Sequence, residues 1–176
     1  MEIKVGIEIH LYDEKLGRFM RIINPRDETI DASLYAVSQF NVLPPDDSRV
    51  VNTMEVIESK LSEKTDIGGI ARFYGDAYHQ VSEYDFEVIP GNPWYICTLW
   101  VAQWHIQKAK SINDLQKPRE ILDWVTEHAT ETGILAEQLN PFDGSPLGVS
   151  PLTWAHATFV ITVMAFVEKA RLLEKE

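Results

Sequence analysis

Hydrophobic and polar positions change period several times along the chain. From Ile3 through Val5, Ile7 and Ile9 to Leu11, apolar residues alternate with others, the two-residue period of a strand. Asp13 to Gly17 reads as a polar turn and Phe19 to Ile23 as a second short apolar run, so a β-hairpin is expected near the N-terminus. Beyond it the period is helical. Asp31 is placed to N-cap a short helix over about 32–41, and Pro44-Pro45-Asp46-Asp47 then interrupts the chain. Val50, Met54, Ile57 and Leu61 recur at helical spacing, with Arg49, Glu55, Glu58 and Lys60 on other faces. Residues 64–91 carry Gly68-Gly69 and Pro90-Gly91 and no sustained period, which predicts a long loop with short extended pieces. Loops of this length inside a compact domain usually serve a function. Asn92-Pro93 reads as an N-cap followed by proline in the first turn of a helix to about Ala109. An amphipathic helix is expected over about 115–130 and a loop over 131–149. Ser150-Pro151 repeats the cap-plus-proline start, ahead of a last helix to about Leu173.

These helices are of two kinds. The segments 49–61 and 115–130 are apolar on one side. The segments 93–109 and 151–166 are apolar nearly all round, and such a helix must be covered on every side. The alternation predicts a mainly α fold of outer and inner helices in one domain spanning 1–176, with 1–30 a less regular leader. A helical bundle or a solenoid would show the same pattern.

Composition narrows the function classes. The chain has 176 residues, 45% hydrophobic and 24% charged, ordinary for a globular domain with a sizeable core. A net charge of -11 argues against nucleic acid, which needs clustered Lys and Arg. No apolar run is long enough to span a bilayer, and no signal-peptide core follows Met1, so a cytoplasmic location is expected. Cys97 is the only cysteine, which precludes an internal disulfide, and it sits in an apolar helix where an inert thiol is expected. His10, His79, His105, His128 and His156 are scattered without metal-ligand spacing, and no phosphate-binding glycine loop or Ser-His-Asp order is present. The five tryptophans and six tyrosines suit core packing and sugar stacking alike.

Four stretches, in order, carry a family resemblance. They are Asp31-Ala32-Ser33-Leu34 with Val42-Leu43-Pro44-Pro45-Asp46-Asp47-Ser48-Arg49-Val50; Gly69-Ile70-Ala71-Arg72-Phe73 through Gly91-Asn92-Pro93-Trp94-Tyr95-Ile96-Cys97-Thr98-Leu99-Trp100; Gly133-Ile134-Leu135-Ala136-Glu137-Gln138 followed by Asn140-Pro141 and Asp143-Gly144; and Pro151-Leu152-Thr153-Trp154-Ala155-His156-Ala157. Together they resemble the C-terminal half of the catalytic domain of glycoside hydrolase family 15, the glucoamylases, in its prokaryotic form. The resemblance implies half of an (α/α)6 toroid. It also implies inverting hydrolysis of α-linked glucans from non-reducing ends, with no metal or organic cofactor.

An inverting glycosidase uses two carboxyl groups. The resemblance assigns the catalytic base to Glu137 and places the acid in an earlier segment of a full-length enzyme, which this chain is expected to lack. It makes Arg72, Asp76, Tyr78 and Trp94 substrate-binding residues, with Asp76 holding Arg72. Gln138, Trp154 and His156 become candidate supports of the base, with Trp154 expected mainly to pack. Glu83, Asp85 and Glu87 lie on a loop longer than the family usually has there and are the local carboxylates that could stand in for the acid. The alternative reading is a catalytically inactive, truncated or vestigial carbohydrate-binding fragment. A terpenoid-processing helical toroid is disfavoured by the lack of an aspartate-rich metal motif. The implied partners are an α-glucan or oligosaccharide and either a second copy, as a homodimer, or a missing N-terminal half.

Overall fold

In the computed structural model residues 2–175 are described, and Met1 and Glu176 lie outside the described residues. The alternating segment at the N-terminus is not a strand. Glu2–Gly6 forms α1 and runs into a π-helical turn, Ile7–Leu11. An alternating pattern also contains a stripe of period four, here Ile3, Ile7 and Leu11, and a helix uses that stripe. Ile7 and Leu11 pack on the core, while Ile3, Val5 and Ile9 are exposed. The expected hairpin survives only around its turn. β1 (Tyr12–Asp13) pairs antiparallel with β2 (Arg18–Phe19). Asp13 Oδ1 accepts the N–H groups of Lys15 and Leu16 and closes the loop.

The helical expectations hold with shifted ends. Asp31 caps a 3-10 turn, Ala32–Tyr35, by accepting Ser33 N–H, and α2 (Ala36–Gln39) follows directly. Asp47 caps α3 (Ser48–Leu61) through Arg49 N–H, and α3 buries Val50, Met54, Ile57 and Leu61 on one face. The next long helix, α4 (Tyr95–Lys108), begins two residues later than the cap-plus-proline reading, with Trp94 at its N-cap. Asn92 is therefore not a cap. A 3-10 turn, Ile112–Leu115, closed by a Ser111–Asp114 capping box, leads into α5 (Gln116–Glu127). The loop after it holds a small hairpin, β3 (Gln138–Leu139) against β4 (Pro146–Leu147). The last helix, α6 (Thr153–Leu173), has Leu152 at its N-cap position, so Pro151 also lies outside the helix it was expected to start.

The centre of the packing is α4. Every residue from Tyr95 to Trp104 is buried, because α5 and α6 lie along the helix and the Ala32–Tyr35 turn with α2 packs on another side. Polar ties fix the neighbours. Gln103 donates to Thr162 of α6 at 2.8 Å, His105 meets Glu58 of α3 at 3.0 Å, and Trp104 Nε1 donates to Pro45 O at 3.0 Å. Full burial of residues such as Leu99 and Ile96 stabilises the fold by roughly 1.5–3 kcal/mol each. By contrast α6, equally apolar in sequence, buries only Ala155, Thr158 and Thr162, and leaves Val160, Ile161, Met164 and Val167 exposed. Among the described residues no helix is long and apolar enough to cross a membrane.

Candidate active site

Short extended pieces cross the N-terminal ends of the inner helices and align the residues singled out from the sequence. Single antiparallel bridges join Ser62 to Ile70, Ala71 to Pro93 and Trp94 to Gln138, and the β3–β4 hairpin continues the ribbon. A further bridge links Asp31 to Phe73. These pairings bring loop 64–91, the start of α4 and the Glu137 loop to one end of the helices. There a cleft of about 510 Å3 is lined by Arg21, Asp31, Arg72, Trp94, Glu137 and Trp154, among others.

Arg72 is the best-held group in the cleft. Its Nε and one NH2 donate to the two oxygens of Asp76, both at 2.9 Å. Asp76 is 1% exposed and also accepts Tyr78 N–H, so the fork geometry is fixed from below. The Arg72 guanidinium lies 4.9, 5.2 and 4.8 Å from the ring centres of Phe73, Tyr78 and Trp94. Cation–π attraction adds to the ion pair and leaves Arg72's outward edge free for hydroxyl groups. Trp94 is therefore mostly a pedestal under Arg72 and Tyr78, and its buried Nε1 has no acceptor within the described residues.

Glu137 is half-buried at the cleft wall. Its backbone N–H donates to Val149 O at 2.9 Å, and its Oε2 lies 3.3 Å from Gln138 Nε2. His156 accepts Leu135 N–H on its Nε2 at 3.1 Å, and Leu152 N–H donates to Leu135 O at 3.0 Å, so the head of α6 holds the loop segment leading to Glu137. Trp154 does not pack into the core. It is 54% exposed and tilts against Trp100 at 5.8 Å on the cleft's open side. Glu83, Asp85 and Glu87 are exposed on their loop, and none of them lines the cleft. Cys97 is fully buried beneath it, and burial pushes its thiol well up, as suits an inert group. Among the described residues no three His, Cys, Asp or Glu side chains converge as a metal site.

Three contributors escape a sequence reading. Arg21 reaches the cleft from the hairpin and pairs with Asp27 at 2.6 Å and Asp31 at 3.4 Å. Nothing local in Arg-Ile-Ile-Asn announces this. Asp31 is legible as a cap, but its position beside Phe73 depends on a pairing 42 residues away. Gly148 is the third. A Cβ on it would sit 2.3 Å from Glu137 Oε2, and its φ is +72°. Only glycine combines that backbone with that closeness. Gly148→Ala is expected to cost about 1–2 kcal/mol of stability and to push the Glu137 carboxylate about 1 Å or more from its place. A crystal structure of the variant with Glu137 unmoved would contradict this.

The sequence profile described as Glycosyl hydrolases family 15 matches residues 7–118 and 105–164. An uncharacterized glycosyl hydrolase of Methanocaldococcus jannaschii is 35% identical over 170 residues, 91% of this chain and 25% of that protein. A glucoamylase of Clostridium sp. is 28% identical over 80% of this chain and 20% of its own length, and a trehalase of Mycobacterium tuberculosis is 28% identical over 93% and 22%. The chain thus spans about a quarter or less of the length of these relatives. Among solved structures, a bacterial glucoamylase complexed with acarbose superposes with a TM-score of 0.79 at 23% identity, covering 96% of this chain and 28% of that one. This likeness shows the fold, a part of the glucoamylase (α/α)6 toroid, in agreement with the outer and inner helices described above. By profile and by sequence relatives alike, the chain belongs to the glycosyl hydrolases of family 15.

Proposed function

We propose that the cleft is the base-bearing side of an inverting glycosidase site that acts on α-linked glucans from their non-reducing ends. The observation that carries this reading is that Glu137, Arg72 and Trp94 line one cleft, with Asp76 paired to Arg72 and the Tyr78 ring against its guanidinium. In such a site Glu137 takes a proton from water as the water attacks the anomeric carbon, on the face opposite the leaving oxygen. Arg72 and Tyr78 hold the sugar hydroxyls, and Trp94 supports both. Solved relatives of the same fold carry acarbose or glucose. Two sequence relatives are trehalases, so α,α-linked glucose belongs with maltose and starch among the substrates to try.

The leaving oxygen needs a proton from a second carboxyl group. Asp31 is the other carboxylate on the cleft, but it accepts from Arg21 and from Ser33 N–H, the role of a base rather than a donor. The reading is therefore that this chain supplies the base and that the acid comes from a segment other than residues 2–175. The cleft's single free carboxylate among the described residues also suits the second reading, a non-catalytic carbohydrate-binding fragment.

Incubation of the purified chain with maltose, starch and trehalose separates the possibilities. No glucose release is expected. General-base help alone is worth roughly 10²–10⁴-fold, far below the 10⁶-fold or more that enzymes deliver. Release that Glu137→Gln abolishes would refute the incompleteness. When an acid-bearing segment of a family member is added in trans, release is expected to appear, and Glu137→Gln is expected to lower it by about 10²–10⁴-fold. Sugar binding with no release under any complementation would favour the binding fragment.

A further inference from the structure

Asn92 and Gln138 are both fully buried, and between them they connect two loops of the cleft. Asn92 Nδ2 lies 3.1 Å from Tyr78 O, 3.0 Å from His79 O and 2.8 Å from Gln138 Oε1. Its Oδ1 accepts the Tyr84 hydroxyl at 2.6 Å, and that hydroxyl accepts Val81 N–H at 3.1 Å. The two ends of an amide have nearly the same shape, so its partners decide which way it points. Here the decision is one-sided. Three oxygens surround one end of Asn92 and a hydroxyl donor meets the other. Reversal would set an acceptor against three acceptors in a place that water does not reach.

With Asn92 fixed, Gln138 has no choice. Its Oε1 must face the Asn92 NH2, and its own Nε2 then projects to Glu137 Oε2 at 3.3 Å. At that distance the contact is long, and its importance lies in which end of the amide meets the carboxylate. A flipped Gln138 would place a carbonyl oxygen beside Glu137.

We infer that Asn92 is the positioning residue of the base: it turns the NH2 of Gln138, and not its carbonyl, toward Glu137, and it ties that orientation to the carbonyls of Tyr78 and His79 in the loop that carries Arg72. The word base rests on the reading above, but the orientation itself does not. Tyr84, on the lengthened loop, caps the relay without setting its direction, because the three oxygens hold Asn92 even without the hydroxyl.

The test is NMR on the unliganded chain, which needs no activity. The side-chain NH2 of Gln138 and the 13C carboxyl of Glu137 are the probes, with the latter assigned by its loss in Glu137→Gln. In the wild type one Gln138 NH2 proton is expected to move when Glu137 becomes Gln. In Asn92→Asp the donor end disappears, Gln138 turns, and both probes are expected to shift. Exchange of the Gln138 NH2 protons is expected to rise roughly tenfold, as loss of a hydrogen bond allows. Tyr84→Phe is expected to leave both probes in place. A folded Asn92→Asp with both signals unmoved would overturn the inference, as would Tyr84→Phe shifting them equally. Should Asn92→Asp not fold, the wild-type comparison still decides: a Gln138 NH2 insensitive to Glu137→Gln rejects the orientation. Failure of hydrolysis when an acid-bearing segment is added would count against Glu137 as the base and would leave these signals where they are.

Discussion

At micromolar concentration the chain will sediment as a reversible dimer or larger species, and the double variant Ile161→Glu, Met164→Glu will return it to the monomer. The reason is the uncovered face of α6. Ile161 is 56% exposed and Met164 66% exposed, and Ala157, Val160 and Val167 extend the same face. From Thr153 to Val167 the helix carries no Asp, Glu, Lys or Arg. A contiguous apolar face of this kind marks an interaction surface on soluble proteins. In sequence α6 is as apolar as α4, and α4 is covered from Tyr95 to Trp104, so the exposure of α6 follows from the lack of a neighbour over this face among the described residues and not from a polar design.

The magnitudes decide how tight the contact is. Full burial of a large apolar side chain is worth roughly 1.5–3 kcal/mol, and about half of that remains to be gained at side chains already half covered. A two-fold contact through this face brings in about eight such side chains, a gain comparable to the ~4–15 kcal/mol cost of association. Weak, concentration-dependent pairing is the outcome, opposed further by a net charge of -11 on each copy. A second copy is the simplest partner because most homo-oligomers are symmetric dimers. An acid-bearing segment would compete for the same face, so adding one is expected to dissolve the self-association. A wild-type chain that stays monomeric across the micromolar range would show that α6 needs no cover.

The sequence made α3 legible because its apolar positions recur at the period of the one face that the core buries. Val50, Met54, Ile57 and Leu61 recur as α3 requires, and all four are buried. The N-terminal segment was illegible because Ile3, Ile7 and Leu11 satisfy two periods at once, and only the contact of Ile7 and Leu11 with the core chooses between them. The proline starts misled for a related reason. Asn92 has the chemistry of a cap, but tertiary partners at Tyr78, His79, Tyr84 and Gln138 claim its side chain, so α4 starts after Trp94. In the cleft, residues inside contiguous motifs could be found, and Glu137 with Arg72 is the instance. Arg21 and Gly148 could not, because their roles depend on distances between loops that no local spacing encodes.

Glu63→Gln is expected to stabilise the chain by about 2–3 kcal/mol at pH 7, roughly 5–10 °C in Tm, and to leave it unchanged below pH 4.5. Glu63 is 7% exposed, and neither of its oxygens has a well-formed hydrogen bond. Burial pushes its carboxyl up to about 9 from the ordinary 4.5, and the Gly91 N–H opposes this only weakly. Between those two values the unfolded chain has lost a proton that the folded chain retains, so rising pH favours unfolding. The contribution is therefore complete below about 4.5 and drains away toward about 9, at up to about 1.4 kcal/mol per pH unit. Glutamine has nearly the same shape and no proton to lose, so it removes the slope. Other carboxylates act in the opposite direction at acid pH. Asp27, for example, is lowered to about 2 by hydrogen bonds from the Thr29 side chain and N–H and by Arg21. They are common to both proteins and cancel in the difference. Urea melts of the two proteins from pH 4 to 9 give that difference directly. It should open from near zero at pH 4 and widen steadily, and two parallel stability curves would mean that Glu63 is ionised in the folded chain and has found a partner.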